Sequence, residues 1–446
     1  MRWFVLLYGL RPLRELFAPA GARDGKRAPY AALPLADGAP GVYCDRSAPL
    51  ARRVLAGCPT LSPEGFYRPP ALWGSNGHAQ TILASLFRRT RCVEYARELL
   101  PTPDGGTLAL DVLMAVRDER SAKGTGSTVT PIGETMAASV RNTKPVLLLT
   151  SGLGGGSQDA YVRSMAAHAS ECGWHVLVLN MRGCGGSAVT SPRFFSARHG
   201  STDDVRLAVR HIRASDHLGR VAPCVAAVAW SNGATIVNNV LAEQATSHPP
   251  NADADGAHHG LDAAATLASP LNMPAADANL ARPFHRHVYD RSIARGLVAN
   301  FQTSGAALVF NAAQDNGGCV RAWTGTKMRV DIAELLASTT IRRIDELLTS
   351  RCFGFNSVDE YYADASSDQR LADVRVPLLV MNAFDDPLAP GNSLPYERVR
   401  RCEHVMLALT AHGGHLGWCD EGAPFGAPRW VEQTVCDFLR VATSPA

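Results

Sequence analysis

No stretch of the chain approaches the ~18 consecutive apolar residues that a membrane-spanning helix needs, so no spanning segment is expected. Charge is also scarce. Only 19% of the 446 residues are charged and the formal net charge is +3, too mild a balance to expect a nucleic-acid partner. The eleven cysteines form no paired ladder, and their number is odd. Cys172, Cys224 and Cys436 sit inside apolar periodic segments, where a free thiol acts as a small hydrophobe. That usage points to a reducing, intracellular setting, cytoplasmic or peripherally membrane-associated. No segment repeats with a period of 20–50 residues, which excludes a solenoid or a propeller. What the chain does have is apolar content, 46%, enough for a large core in one α/β unit carrying insertions.

The start, MRWFVLLYGLRPLRELFAPAGAR, has a short apolar run, Trp3–Leu10, that meets Arg11, Pro12 and Arg14 at once. A signal peptide would continue apolar to a small-residue cleavage site. The segment fits better as a helix that docks on the protein or contacts a membrane surface peripherally, with an Arg-rich transit peptide as a further reading. We take 1–60 as an amino-terminal extension and 61–446 as the main domain. Two polar stretches, 119–143 and 243–261, are too poor in apolar residues to order themselves and read as mobile surface insertions.

Within the main domain, strand and helix signals alternate. A hairpin is expected from Val93–Leu99, the turn Pro103-Asp104-Gly105-Gly106 and Thr107–Met114. Continuous apolar runs follow at 145–152, 174–180, 223–230, 261–270, 376–384 and 404–410, separated by helical patterns such as Tyr161–Ser170, Asp203–Arg213 and Ala234–Ala242. Such runs predict an α/β fold with a mostly parallel central sheet and helices on both faces. Residues 271–350 break the rhythm with helical segments and read as an inserted helical cap. Ligands of such sheets bind beyond the carboxyl ends of the strands, so chemistry is sought there.

Ser231 stands at one of those ends, in Ala229-Trp230-Ser231-Asn232-Gly233. A serine there can be a helix N-cap or the nucleophile of a G-x-S-x-G elbow, with Ala229 in place of the first glycine. A serine hydroxyl is a weak nucleophile until a base takes its proton. LALTAHGGHLGW puts His412 and His415 after the last strand, and MNAFDDPLAP puts Asp385 and Asp386 after the one before it. Ser, Asp, His is the chain order this fold uses for a catalytic triad. Two backbone amides are expected to hold an oxyanion: Asn232, next to the serine, and Leu153, in the glycine-rich Ser151–Gly156 loop. No Gly-Lys-Ser/Thr follows that loop, so it is not read as a phosphate loop. His412, His415 and Cys419, or His285 and His287, offer no convincing fourth ligand. No metal and no cofactor are expected.

These blocks resemble a known family. GSNGHAQTILASLFR (74–88), SGLGGGSQDAYVR (151–163), NMRGCGGS (180–187) and SPRFFSARHGSTDDV (191–205) come first. AWSNGAT (229–235), FGFNSVDEYYADASS (353–367), NAFDDPLAP (382–390) and GGHLGW (413–418) follow. Over roughly 60–440 the chain resembles the α/β-hydrolase-fold serine esterases and lipases. That group includes the mammalian phospholipase and acylglycerol lipase members, the yeast medium-chain ethyl ester synthase/esterases and bacterial relatives. The resemblance implies Ser231 as nucleophile, His415 as base and Asp386, at the head of Asp-Pro-x-x-Pro, as its orienter. It also implies hydrolysis of short- or medium-chain acyl esters, or of acylglycerol- or phospholipid-like lipids, without a cofactor. Transfer of the acyl group to an alcohol by the same residues, or ligand binding without turnover, are the alternatives. Leu297, Val298, Phe301, Leu308, Val309 and Phe310 of the cap are expected to line the acyl pocket. Asn76, Gly77, His78 and Gln80 are expected to pack the amino-terminal segment near the cap, and Arg182, Asp203 and Asp204 to brace loops.

Overall fold

The apolar runs become the strands of one ten-stranded sheet. In chain order these are β1 (Gly41–Tyr43), β2 (Cys92–Pro101), β3 (Thr107–Arg117), β4 (Thr128–Pro131), β5 (Val146–Thr150), β6 (His175–Asn180), β7 (Val225–Trp230) and β8 (Ala263–Leu267). A separate two-stranded ribbon, β9 (Val320–Arg321) and β10 (Lys327–Met328), precedes the last sheet strands, β11 (Leu378–Ala383) and β12 (Val405–Thr410). The structure, a computed structural model, describes residues 41–62, 65, 67–117, 127–131, 141–246, 260–317, 319–426 and 429–444. The expected amino-terminal helix falls outside these residues, as does most of both polar insertions. No helix among the described residues is long and apolar enough to cross a membrane.

The sheet order is β1-β12-β11-β8-β7-β5-β6-β3-β2-β4. The six strands from β12 to β6 are mutually parallel; β1 runs antiparallel to β12, β3 runs antiparallel to both β6 and β2, and β2 is parallel to β4. Their side chains alternate between two apolar layers, as a strand's period of two requires. Leu148, Leu177 and Ala227 face one layer; Leu147, Leu149, Val176 and Val228 face the other. Helices cover both. Ala226, Ala227, Ala263, Ala264 and Ala265 keep the middle of the sheet thin, so helices Asn232–Thr246 and Arg429–Thr443 pack directly on β8.

Three expectations need correction. Thr128–Pro131 is not a loose insertion but an edge strand, paired parallel to Glu94–Arg97 of β2. Its order comes from the ladder, from Ser127 Oγ, which accepts the Val93 amide at 3.0 Å, and from Val129, half-buried against the core. Gly41–Tyr43, within the proposed extension, pairs with Leu407–Leu409 of β12 and belongs to the sheet. Cys172 is exposed at the carboxyl end of helix Ala160–Glu171, not a buried hydrophobe.

Between β8 and β11 the chain forms helices Met273–Leu280, Arg291–Thr303, Ala306–Gly317 and Val358–Ala365. Two π-helical turns, Arg286–Asp290 and Asp345–Thr349, interrupt them. This helical layer sits over the end of the sheet where Ser231 emerges.

Candidate active site

At the end of β7 the chain must turn into helix Asn232–Thr246 within one residue. Ser231 makes that turn with φ 51°, a left-handed conformation that costs a non-glycine residue energy and recurs at strained functional positions. The turn is held by its neighbours: the Ser231 amide donates to Leu267 O at 2.9 Å. Space is tight. A Cβ on Gly233 would lie 2.3 Å from Ser151 O, and one on Gly152 would lie 3.2 Å from the Ser231 Cβ. Ala229 is fully buried in β7, where its single methyl fits.

Three side chains from separate strand ends meet there. His415 Nε2 lies 3.0 Å from Ser231 Oγ, and His415 Nδ1 lies 2.8 Å from Asp386 Oδ2. The Asp386 carboxylate is buried, and its other oxygen accepts the amides of Leu388 and Ala389 at 2.7 and 2.9 Å. Those two donors offset the cost of desolvating the charge and fix the plane of the carboxylate. Asp385 points elsewhere. Its Oδ1 accepts the Gly414 amide at 2.9 Å and its Oδ2 lies 3.2 Å from His412 Nδ1. Burial raises the Asp385 carboxyl above its ordinary range, a rise partly countered by His412 and by the Gly414 amide.

The histidine loop has a buttress that the sequence reading did not assign. Helix Gly77–Phe87 places Thr81 Oγ1 where it accepts the His415 amide at 2.8 Å while donating to Gly77 O at 2.6 Å. Gln80 Oε1 accepts the Cys419 amide at 2.9 Å, and its Nε2 donates to Gly74 O at 2.6 Å. Gly414 lies so close that an added Cβ would come within 2.3 Å of Gly77 O. His78 looks away from the reacting groups. Its Nδ1 lies 2.8 Å from the Tyr289 hydroxyl and its ring packs against Phe284 and His285 of the cap. Burial, with Arg282 nearby, pulls the His78 imidazole down to about 4, so it is neutral at pH 7.

The glycine loop after β5 is braced from behind. The Tyr161 hydroxyl accepts the Gly152 amide at 3.0 Å and donates to Asp159 Oδ2, also at 3.0 Å. With the Gly152 amide occupied, Leu153 is the next one along, and Leu153 lines the cavity together with Ser231, Asn232 and His415. Asn232 opens a helix, so its amide has no partner within that helix. Arg182 is clamped between Asp204 (2.8 Å) and Asp104 (2.7 Å), and Asp203 pairs with Arg206 at 2.8 Å; none of these lines the cavity.

The cavity wall differs from the expected one. Met273, Ala276, Leu280, Ile293, Ile341 and Leu388 supply its apolar part. None of the six cap residues named from the sequence lines it. Leu297, Phe301 and Phe310 are buried in the core, where Phe301 packs on Phe194 and Phe310, and Leu308 is 74% exposed. The cavity also has a polar part, with Asp277, Asp290, Asp345, Tyr361, Tyr362 and Arg342. Burial lifts the Asp345 carboxyl to about 6, and the Tyr362 hydroxyl donates to it at 2.8 Å.

Comparison with known proteins agrees with the fold. The model of the α/β hydrolase fold family matches residues 145–421. The embryogenesis-associated protein EMB8 of Picea glauca is 34% identical over 372 residues, covering 82% of this chain and 70% of its own. Phospholipase ABHD3 of Bos taurus is 28% identical, covering 81% of this chain and 75% of its own. A monoacylglycerol lipase of Saccharomyces cerevisiae is 25% identical, covering 82% of this chain and 78% of its own.

Proposed function

The chain belongs to the α/β-hydrolase fold family of esterases and lipases, and from that membership we propose that it is a serine carboxylic ester hydrolase acting on acyl esters. The observation that carries this reading is the relay Ser231–His415–Asp386, with contacts of 3.0 and 2.8 Å. As the Ser231 oxygen attacks the ester carbonyl carbon, its proton passes to His415 Nε2. The carbonyl oxygen, now negative, is held by the Leu153 and Asn232 amides. Collapse expels the alcohol, which leaves with the proton from His415. Water then attacks the acyl-serine and gives a proton to the same nitrogen; on collapse the acyl–oxygen bond breaks, that proton returns to Ser231 Oγ, and the carboxylic acid leaves. Asp386 keeps the Nδ1 proton in place and stabilises the imidazolium.

The cavity supports a substrate with an apolar acyl part and an uncharged polar part. Arg342 is already neutralised by Asp277 and Asp359, at 2.7 and 2.8 Å. The remaining carboxyls, Asp290 and Asp345, sit in π-helical turns, a backbone irregularity frequent at functional sites. A phosphate ester would meet these acids, and Arg286, the cation near Asp290, does not line the cavity, so a neutral ester such as an acylglycerol fits better.

The test is labelling by a fluorophosphonate probe together with turnover of a p-nitrophenyl acyl ester. Wild type should label and turn over. Ser231→Ala should lose both, turnover by about 10⁶-fold. Undiminished hydrolysis by the variant would refute the assignment. A monoacylglycerol should outpace the matching lysophosphatidic acid at least ~10-fold, or about 1.4 kcal/mol; equal rates would remove the argument for a neutral ester.

A further inference from the structure

On the face of the sheet away from the cavity, helix Ala160–Glu171 packs against helix Arg429–Thr443. One turn at the end of the first brings His168 and Cys172 to the same side, and the second brings Cys436 close to both. The His168, Cys172 and Cys436 ligand atoms all lie within 4.8 Å of one another, and Cys172 Sγ is 3.7 Å from His168 Nε2. For a tetrahedral Zn²⁺ with Zn–S of about 2.3 Å and Zn–N of about 2.0 Å, neighbouring ligand atoms stand ~3.5–3.8 Å apart. The histidine–cysteine pair is thus already at ligand spacing, and at most about 1 Å of side-chain adjustment brings in the third atom.

Solvent reaches the cluster through Cys172, which is exposed, whereas Cys436 is buried. Asp437, Glu171 and Glu432 lie within electrostatic reach of Cys172 and favour a cation there, an effect that Arg91, paired with Glu171, offsets in part. None of this belongs to the site around Ser231. We propose that His168, Cys172 and Cys436 form a binding site for a thiophilic d¹⁰ cation of the Zn²⁺ type, with water in the fourth position. Two thiolates and an imidazole select such an ion over Mg²⁺ or Ca²⁺, which prefer oxygen ligands. On binding, the two thiols give up their protons to solvent, and the ion ties the carboxyl-terminal helix to the helix after β5.

The experiment uses the full chain, reduced and stripped with a chelator, and titrates Cd²⁺ while following the ultraviolet thiolate-to-cadmium band. Co²⁺ serves as a second probe through the visible bands of tetrahedral cobalt. Wild type should bind one equivalent, displaceable by Zn²⁺. Cys172→Ser, at an exposed position, should keep the fold and weaken binding by more than ~100-fold, beyond the loss seen on removing even an outer-sphere partner. His168→Asn should do likewise, and Cys319→Ser should leave binding unchanged. No saturable one-equivalent signal in wild type, or a full signal retained in folded Cys172→Ser, would overturn the site.

Discussion

Replacing Asp386 by asparagine isolates the role of one oxygen. In the native site Oδ1 accepts two amides, from Leu388 and Ala389, while Oδ2 faces His415 Nδ1 at 2.8 Å. An asparagine carboxamide has one acceptor oxygen. It must keep that oxygen toward the two amides, because its NH₂ group there would oppose two N–H donors in a buried site. The NH₂ group is then turned toward His415 Nδ1, which must become an acceptor. The imidazole proton moves to Nε2, where it blocks uptake of the Ser231 proton. The expected result is a fall in kcat of about 10⁴-fold, or roughly 5.5 kcal/mol, with KM little changed and the fold intact. Asp385→Asn makes the contrast. Its asparagine oxygen can still accept the Gly414 amide, and only the contact with the partly exposed His412 is weakened. That variant should stay within ~10-fold of wild type, since no group in contact with Ser231 changes its protonation. Steady-state hydrolysis of a p-nitrophenyl ester, with a thermal melt of each variant, measures both. Asp386→Asn retaining more than a tenth of wild-type kcat, or Asp385→Asn falling equally far, would refute this division of labour.

Other perturbations probe the supports. Thr81→Val removes the acceptor of the His415 amide and should cost about 1–3 kcal/mol of stability, with a lower kcat, by denaturant titration and kinetics; unchanged stability would show that the buttress is idle. Tyr161→Phe frees the Gly152 amide and should lower kcat about 10-fold or more with KM near wild type, if that hydroxyl sets the oxyanion loop. Glu432 is buried, its Oε1 has no partner among the described residues, and burial raises its carboxyl from 4.5 to about 7. The native state therefore holds that proton more tightly than the unfolded chain, so stability falls as pH climbs from the unfolded value toward 7 and is flat above. The loss is about 3 kcal/mol, and Glu432→Gln should abolish it. Urea titrations at pH 5 and pH 8 in which both proteins lose stability in parallel would refute it.

The legible parts of the fold were those whose physics is local. A strand buried on both faces must be apolar throughout, so β5, β7, β11 and β12 announce themselves and differ from expectation only at their ends. β4 was not legible because a single core-facing Val129 in Thr128–Pro131 gives no strand pattern; an open sheet edge orders it, and that edge lies far back in the chain, where Glu94 of β2 pairs with Thr128. The three side chains that meet were legible for a similar reason. Each lies just past the end of a strand, Ser231 at once after β7 and Asp386 and His415 a few residues beyond β11 and β12. What holds them was not. Thr81 and Gln80 sit one residue apart on a helix more than 300 residues before the loop they pin, and helical periodicity alone names no partner for either.

The cavity wall marks the limit of pattern reading most clearly. Of the apolar residues named on helices Arg291–Thr303 and Ala306–Gly317, Leu297, Phe301 and Phe310 face the core and Leu308 faces solvent, while Ile293, which was not named, reaches the cavity. An amphipathic period says that a face is covered and never by what. The true wall runs from Leu153 to His415; one helical face, Met273, Ala276, Asp277 and Leu280, supplies part of it, and the rest comes as single residues from loops and other helices. Two of them, Asp290 and Asp345, are carboxyls in a largely apolar pocket, which a pattern of hydrophobicity would count as errors. Their cost is offset by the Ile341 amide, which donates to Asp290 at 2.7 Å, and by the Tyr362 hydroxyl on Asp345. Burial makes both acids hold their protons more tightly than free carboxyls do. An uncharged hydroxyl-bearing alcohol group can donate to such a carboxyl or accept from it, whereas a phosphate monoanion brings a further charge into the same wall. Under the proposed function, the choice of substrate turns on residues that sequence patterning did not place.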